Sequence, residues 1–190
     1  MFSTYLELGL RHIADFDAYD HMVFLLALVA SYQIMDVKRM FWLVTSFTVG
    51  HSFTLILSTL NLVSINSDYV EFLIPLTILI TAIANLIQGK RRAGSSMGVN
   101  YALAVFFGLI HGLGFSGYLK AILGKGDTFI PLLGFNIGVE LGQLIIVVAI
   151  MLIGSLLFQV FRFKHRDWIL VISGICAGVA LVLAKETVFW

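Results

Sequence analysis

The stretch FIPLLGFNIGVELGQLIIVVAIMLIGSLLFQVF, residues 129–161, holds a single charged side chain, Glu140. A helix of that length rises ~50 Å, whereas a hydrocarbon core of ~30 Å needs only about 20 apolar residues. The segment reads as a membrane-spanning helix with length to spare, so that it tilts or emerges at Phe161-Arg162-Phe163. An ionisable group inside such a helix costs on the order of 2.5 to 3.5 kcal/mol on insertion scales, so Glu140 marks a place where something is done.

The rest of the chain has the same character. Of its 190 residues, 59% are apolar and 12% charged, and the mean hydropathy is +0.98; soluble domains run at about 45–50% and about 25%. The pattern predicts an all-α membrane protein, a six-helix transmembrane bundle making one integral membrane domain over residues 1–190. The helices are expected near 17–36, 39–62, 69–89, 99–123, 129–161 and 168–188. Ahead of them, Phe2, Tyr5, Leu6, Leu8 and Ile13 read either as a short interfacial helix on the outer surface or as a disordered tail. The start of the chain lacks the basic and apolar regions of a cleaved signal peptide, so the first span is expected to act as its own insertion signal.

Charge sets the orientation. Lys38, Arg39, Lys90, Arg91, Arg92, Arg162, Lys164 and Arg166 fall on one side of the expected bundle, and Arg11, Lys120, Lys125 and Lys185 on the other. The excess of basic residues places the first side in the cytoplasm and both termini in the periplasm of a bacterial inner membrane. A net charge of +1 offers no footing for nucleic acid. The single cysteine, Cys176, excludes an internal disulfide and a thiolate metal site.

Three further ionisable positions join Glu140. His51 and His111 each lie roughly 18 Å above the cytoplasmic start of their helices, and Glu140 roughly 16 Å below the outer start of its own. All three are expected near the bilayer midplane. Asp17, Asp20 and His21 fall at i, i+3, i+4, which converges them into a cation-collecting site at the outer mouth; acids that favour a helix dipole account well for Asp17 and Asp15, and less well for Asp20-His21. Asn136 and Gln143 share the Glu140 face, and Thr48 and Ser52 surround His51. Such amides and hydroxyls either orient ligands or bind helices together. Gly134, Gly138 and Gly142, like Gly108 and Gly112, form small-residue stripes expected to bring the fourth and fifth helices, and so His111 and Glu140, together.

Histidine plus carboxylate without thiolate suits Ni²⁺, Co²⁺, Zn²⁺ or Fe²⁺, bound as a transported substrate. Four stretches, LGLRHIADFDAYDHMVFLLAL, LVTSFTVGHSFTL, FFGLIHGLGFSG and FNIGVELGQ, resemble in order the HupE/UreJ group of hydrogenase and urease accessory membrane proteins. That resemblance implies a multi-pass bacterial inner-membrane protein associated with nickel, sometimes cobalt, uptake. It points to Asp20, His21, His51, His111 and Glu140, and to the lipid bilayer and the metal cation as partners. A homo-oligomer and the machinery that matures metalloenzymes are the protein partners it leaves open. Many relatives carry an acid in the third helix, where this chain reads Thr81-Ala82-Ile83-Ala84-Asn85 and Asn85 is the stand-in.

Three other readings stand beside transport. A metal-dependent membrane enzyme would use the same His/Glu site with one open coordination position. Gly114-Phe115-Ser116-Gly117 matches the GxSG of rhomboid proteases, but the last helix supplies no histidine to act as base. A structural accessory subunit would use its polar residues as glue alone. No catalytic residue is assigned, and transport is the leading expectation.

Overall fold

Every helix in this chain must satisfy its own backbone, and the computed structural model shows helices and turns throughout the residues it describes: 2–15, 19–89, 97–123 and 128–189. The helices are α1 (Phe2–Ile13), α2 (Asp20–Val29), α3 (Val37–Thr59), α4 (Ser67–Gln88), α5 (Met97–Leu123), α6 (Phe129–Val160) and α7 (His165–Glu186), with a 3-10 turn at Ile34–Asp36 leading into α3. Asn66 caps α4 through the Asp68 N–H. Gly89 ends α4 in the left-handed region, at φ +52°.

Five helices, α3 to α7, are long and apolar enough to cross a membrane, the mark of a multi-pass membrane protein. They match the expected spans within three residues at each end. The first span departs from expectation. Instead of one helix over 17–36 there is the ten-residue α2, preceded by the twelve-residue α1, so the described residues hold seven helices rather than six. Asp17 lies outside the described residues.

Nor does α1 lie along a surface. It packs along the length of α6, running in the same direction: Phe2 meets Gly134, Leu6 and Leu10 straddle Gly138, and Ile13 meets Gly142. The end of α2 then reaches further along the same helix, where Val29 shares a crevice with Ile150, Met151 and Gly154. Laid end to end, α1 at ~18 Å and α2 at ~15 Å would together reach the length of one crossing.

The glycine stripes have different partners from those expected. Gly134, Gly138 and Gly142 seat α1, not α5, whereas Gly108 and Gly112 seat α3. The two contacts are built alike. A Cβ on Gly50 would strike the Val105 carbonyl and one on Gly108 the Phe47 carbonyl; equally, Gly9 faces the Phe135 carbonyl and Gly138 the Leu6 carbonyl. Backbone touches backbone in both, which only glycine permits. The bundle thus consists of three closely packed pairs, α1·α6, α3·α5 and α4·α7, with α2 packed among α4, α6 and α7. Phe24 of α2 fills the centre, with Phe47 at 4.9 Å and Phe107 at 6.0 Å between ring centroids.

Candidate metal centre

Each glycine contact delivers a histidine. His12 follows Gly9 by three residues and His111 follows Gly108 by three, while His51 is next to Gly50. His21 enters from the first turn of α2. The break between α1 and α2 and the two glycine contacts thereby bring four imidazoles together. Ring centroids lie 4.6 Å apart for His12 and His21, 5.3 Å for His21 and His111, 6.2 Å for His12 and His51, and 6.4 Å for His21 and His51. Among the described residues, His12, His21 and His51 form a group whose ligand nitrogens all come within 4.8 Å of one another.

What these nitrogens lack is as informative as where they are. Both ring nitrogens of the fully buried His51 have no hydrogen-bond partner, nor have Nε2 of His12, Nε2 of His21 and Nδ1 of His111. A buried polar atom left unsatisfied costs about 1–3 kcal/mol, and such atoms are rare without a reason. The partnered nitrogens fix the tautomers. His21 Nδ1 lies 3.0 Å from Asp20 Oδ1, a contact that holds the proton on Nδ1 and leaves the Nε2 lone pair bare. Thr77 donates its hydroxyl proton to the Ile74 carbonyl at 2.7 Å and so accepts from His111 Nε2 at 3.1 Å, leaving the Nδ1 lone pair bare. Lone pairs with no protein donor to meet them are what a borderline divalent cation requires.

Asp20 and His21 therefore belong to the cluster itself; they do not form a separate site above it. Glu140 is in neither the His12–His21–His51 group nor its immediate hydrogen bonding. Thr45 Oγ1 donates to Glu140 Oε1 at 2.6 Å, Thr48 to Gln143 Oε1 at 2.8 Å and Ser52 to Asn136 Oδ1 at 2.8 Å. These are three rungs joining α3 to α6 beside a groove lined by Thr45, Thr48, Ser52, Asn136 and Glu140. Asn85, fully buried, donates to the Ala27 carbonyl of α2 at 2.6 Å, so the stand-in for the third-helix acid ties α4 to α2. Ser116 donates to the Leu113 carbonyl at 2.7 Å, a local bond that serves packing.

Sequence reasoning passed over two residues, His12 and Thr77. The signal for His12 was present: Gly9-Leu10-Arg11-His12 and Gly108-Leu109-Ile110-His111 repeat one pattern. Thr77 gave none, since a threonine in a span is ordinary helix glue. Neither the curated proteins nor the solved structures contain a match to this chain. The sequence model described as HupE / UreJ protein matches residues 1–188, the same span that carries the glycine contacts, the broken first crossing and the histidines, and the chain belongs to the HupE/UreJ family.

Proposed function

We propose that the protein binds a divalent transition-metal cation, nickel or cobalt, at His12, His21 and His51 with His111 beside them, and passes it across the bacterial inner membrane. The observation that carries this reading is the set of buried imidazole nitrogens without partners. Membership of a family associated with nickel and cobalt transport or accessory function supports the choice of ion. Neutral imidazoles leave the cation its full charge, and the carboxylate of Asp20 behind His21 offsets part of it. Permeation needs a site firm enough to replace water and weak enough to release. A nitrogen set with a single carboxylate one step removed meets both demands better than a cage of acids would.

The test pairs metal analysis of the purified protein, across nickel, cobalt, zinc and iron, with uptake into proteoliposomes. Wild type is expected to hold nickel or cobalt and to accumulate it; His12→Ala is expected to lose both properties. Metal held by wild type that never crosses the bilayer would refute transport and favour a metal-dependent membrane enzyme.

A further inference from the structure

The histidine cluster is covered on two sides by phenylalanine rings, and the two covers are unequal. Towards the starts of α3 and α5 lie Phe47 and Phe107, each four residues before a histidine of the cluster. Phe24 of α2 packs against both, and all three rings are buried. Between ring centroids, Phe24 lies 5.0 Å and Phe47 5.1 Å from His111, and Phe47 stacks on His51 at 6.2 Å.

Towards the end of α5 the cover is thinner. Phe115, four residues after His111, lies 3.9 Å from His12 between ring centroids. It stacks on the buried Phe135 at 5.0 Å, with the ring planes 7° apart. Phe135 in turn backs His12 at 5.6 Å and His51 at 6.5 Å. Phe115 itself is half-buried, with the exposed Tyr118 beside it at 5.1 Å. Of the described phenylalanines that contact the cluster, it alone reaches the surface.

From this asymmetry we infer that Phe115 is the gate of the cation site: its ring swings away from His12 to let a divalent cation in or out, while Phe24, Phe47 and Phe107 keep the opposite side shut. An apolar constriction closes to ions by excluding water, so each cover is a barrier. A phenylalanine in a helix has two χ1 wells, so a single rotamer change moves the ring. Gly117, two residues on, would meet nothing within 4 Å if it carried a side chain, so this part of α5 is loosely surrounded. The three-ring cover lacks that freedom, because in a close-packed interior one ring moves only by displacing its neighbours. The inference rests on the histidine cluster as the cation site and names the residue that controls entry to it. The Gly114-Phe115-Ser116-Gly117 stretch, whose serine bonds within its own helix, thereby gains a role through its phenylalanine.

The experiment uses the full chain in lipid nanodiscs with Co²⁺ as the probe, and follows binding and release by stopped-flow absorbance. A gate that closes alike over the empty and the filled site sets the rates and leaves the equilibrium where it was. Minor conformers are commonly populated at ~10% or less, so Phe115→Ala is expected to raise both rates about tenfold or more at unchanged Co²⁺ affinity. A second readout needs no metal: deuterium exchange at the C2 carbon of each imidazole, measured by mass spectrometry, reports access of water. Exchange at the fully buried His51 should speed up in Phe115→Ala and stay at the wild-type rate in Phe107→Ala. Phe115→Leu and Phe107→Leu give the same comparison should an alanine variant fail to fold. Unchanged Co²⁺ rates in Phe115→Ala overturn the inference, as does equal acceleration of His51 exchange by Phe107→Ala, the mark of a loosened core. If wild type binds no Co²⁺, the cation-site reading fails, and the exchange comparison still decides whether Phe115 closes the cluster.

Discussion

Helix α3 presents polar groups to two sides, and the sides are provisioned differently. Towards α6, Thr45, Thr48 and Ser52 each meet a side chain of Glu140, Gln143 or Asn136 within 2.8 Å. Towards α1 and α2, His51 meets two other imidazoles, those of His12 and His21, and neither of its nitrogens has a hydrogen bond. Ser52 and His51 are neighbours in the chain, so depth and local composition are the same for both. What separates Ser52 from His51 is unmet bonding capacity, although on the α6 side of the rungs Glu140 Oε2 and Gln143 Nε2 also lack partners. A satisfied polar group in a membrane bundle holds helices; an unsatisfied one awaits something from outside.

Substitutions on the two sides test that distinction. The largest effect is expected from His51→Ala, which removes a donor from the centre of the cluster. Co²⁺ affinity by absorbance titration should drop by more than about 100-fold, beyond the 10–100-fold typical of residues that only orient a ligand. Asp20→Asn keeps the shape and removes the charge behind His21, and the same titration should show a loss within that 10–100-fold range. Thr77→Val frees His111 Nε2 from its acceptor and should cost about tenfold, the lower end of the range. Ser52→Ala, one residue from His51, should leave Co²⁺ affinity unchanged. It should lower stability by only about 0.6 kcal/mol, the average for interhelical hydrogen bonds in a membrane. A Ser52→Ala variant that lost Co²⁺ as His51→Ala does would erase the difference between the two sides.

The same pair of faces explains what could be read from the sequence. Axial position along a helix follows from counting residues, so the spans and the shared depth of His51 and His111 were legible. Rotation about the axis was not. Glu140 was expected beside the histidines because its depth agreed, but its side chain bonds to Thr45 on the other face of α3. Pairing between stripes was illegible for a related reason: a glycine row states that some backbone comes close, not whose. Gly138 was free to face α5 and in the folded chain faces Leu6 of α1. The break in the first crossing was the hardest to see. Neither α1 nor α2 has the length of a span, and the apolar run from Met22 to Ala30 reads as the middle of one continuous helix.

The seating of α1 on α6 bears on how the protein is made. A twelve-residue helix is too short to hold a transmembrane position alone, and the surface that receives it, from Gly134 to Gly142, is synthesised only after α2 to α5. While α2 to α5 enter the bilayer, the start of the chain has no partner there. Its contacts join residues far apart in sequence, and such contacts form late because the intervening loop must close first. His21, His51 and His111 can assemble before α6 is complete; His12 cannot. The full set of four imidazoles is therefore complete only once α1 has met α6, which makes the arrival of α6 the step that turns a set of inserted helices into the proposed site.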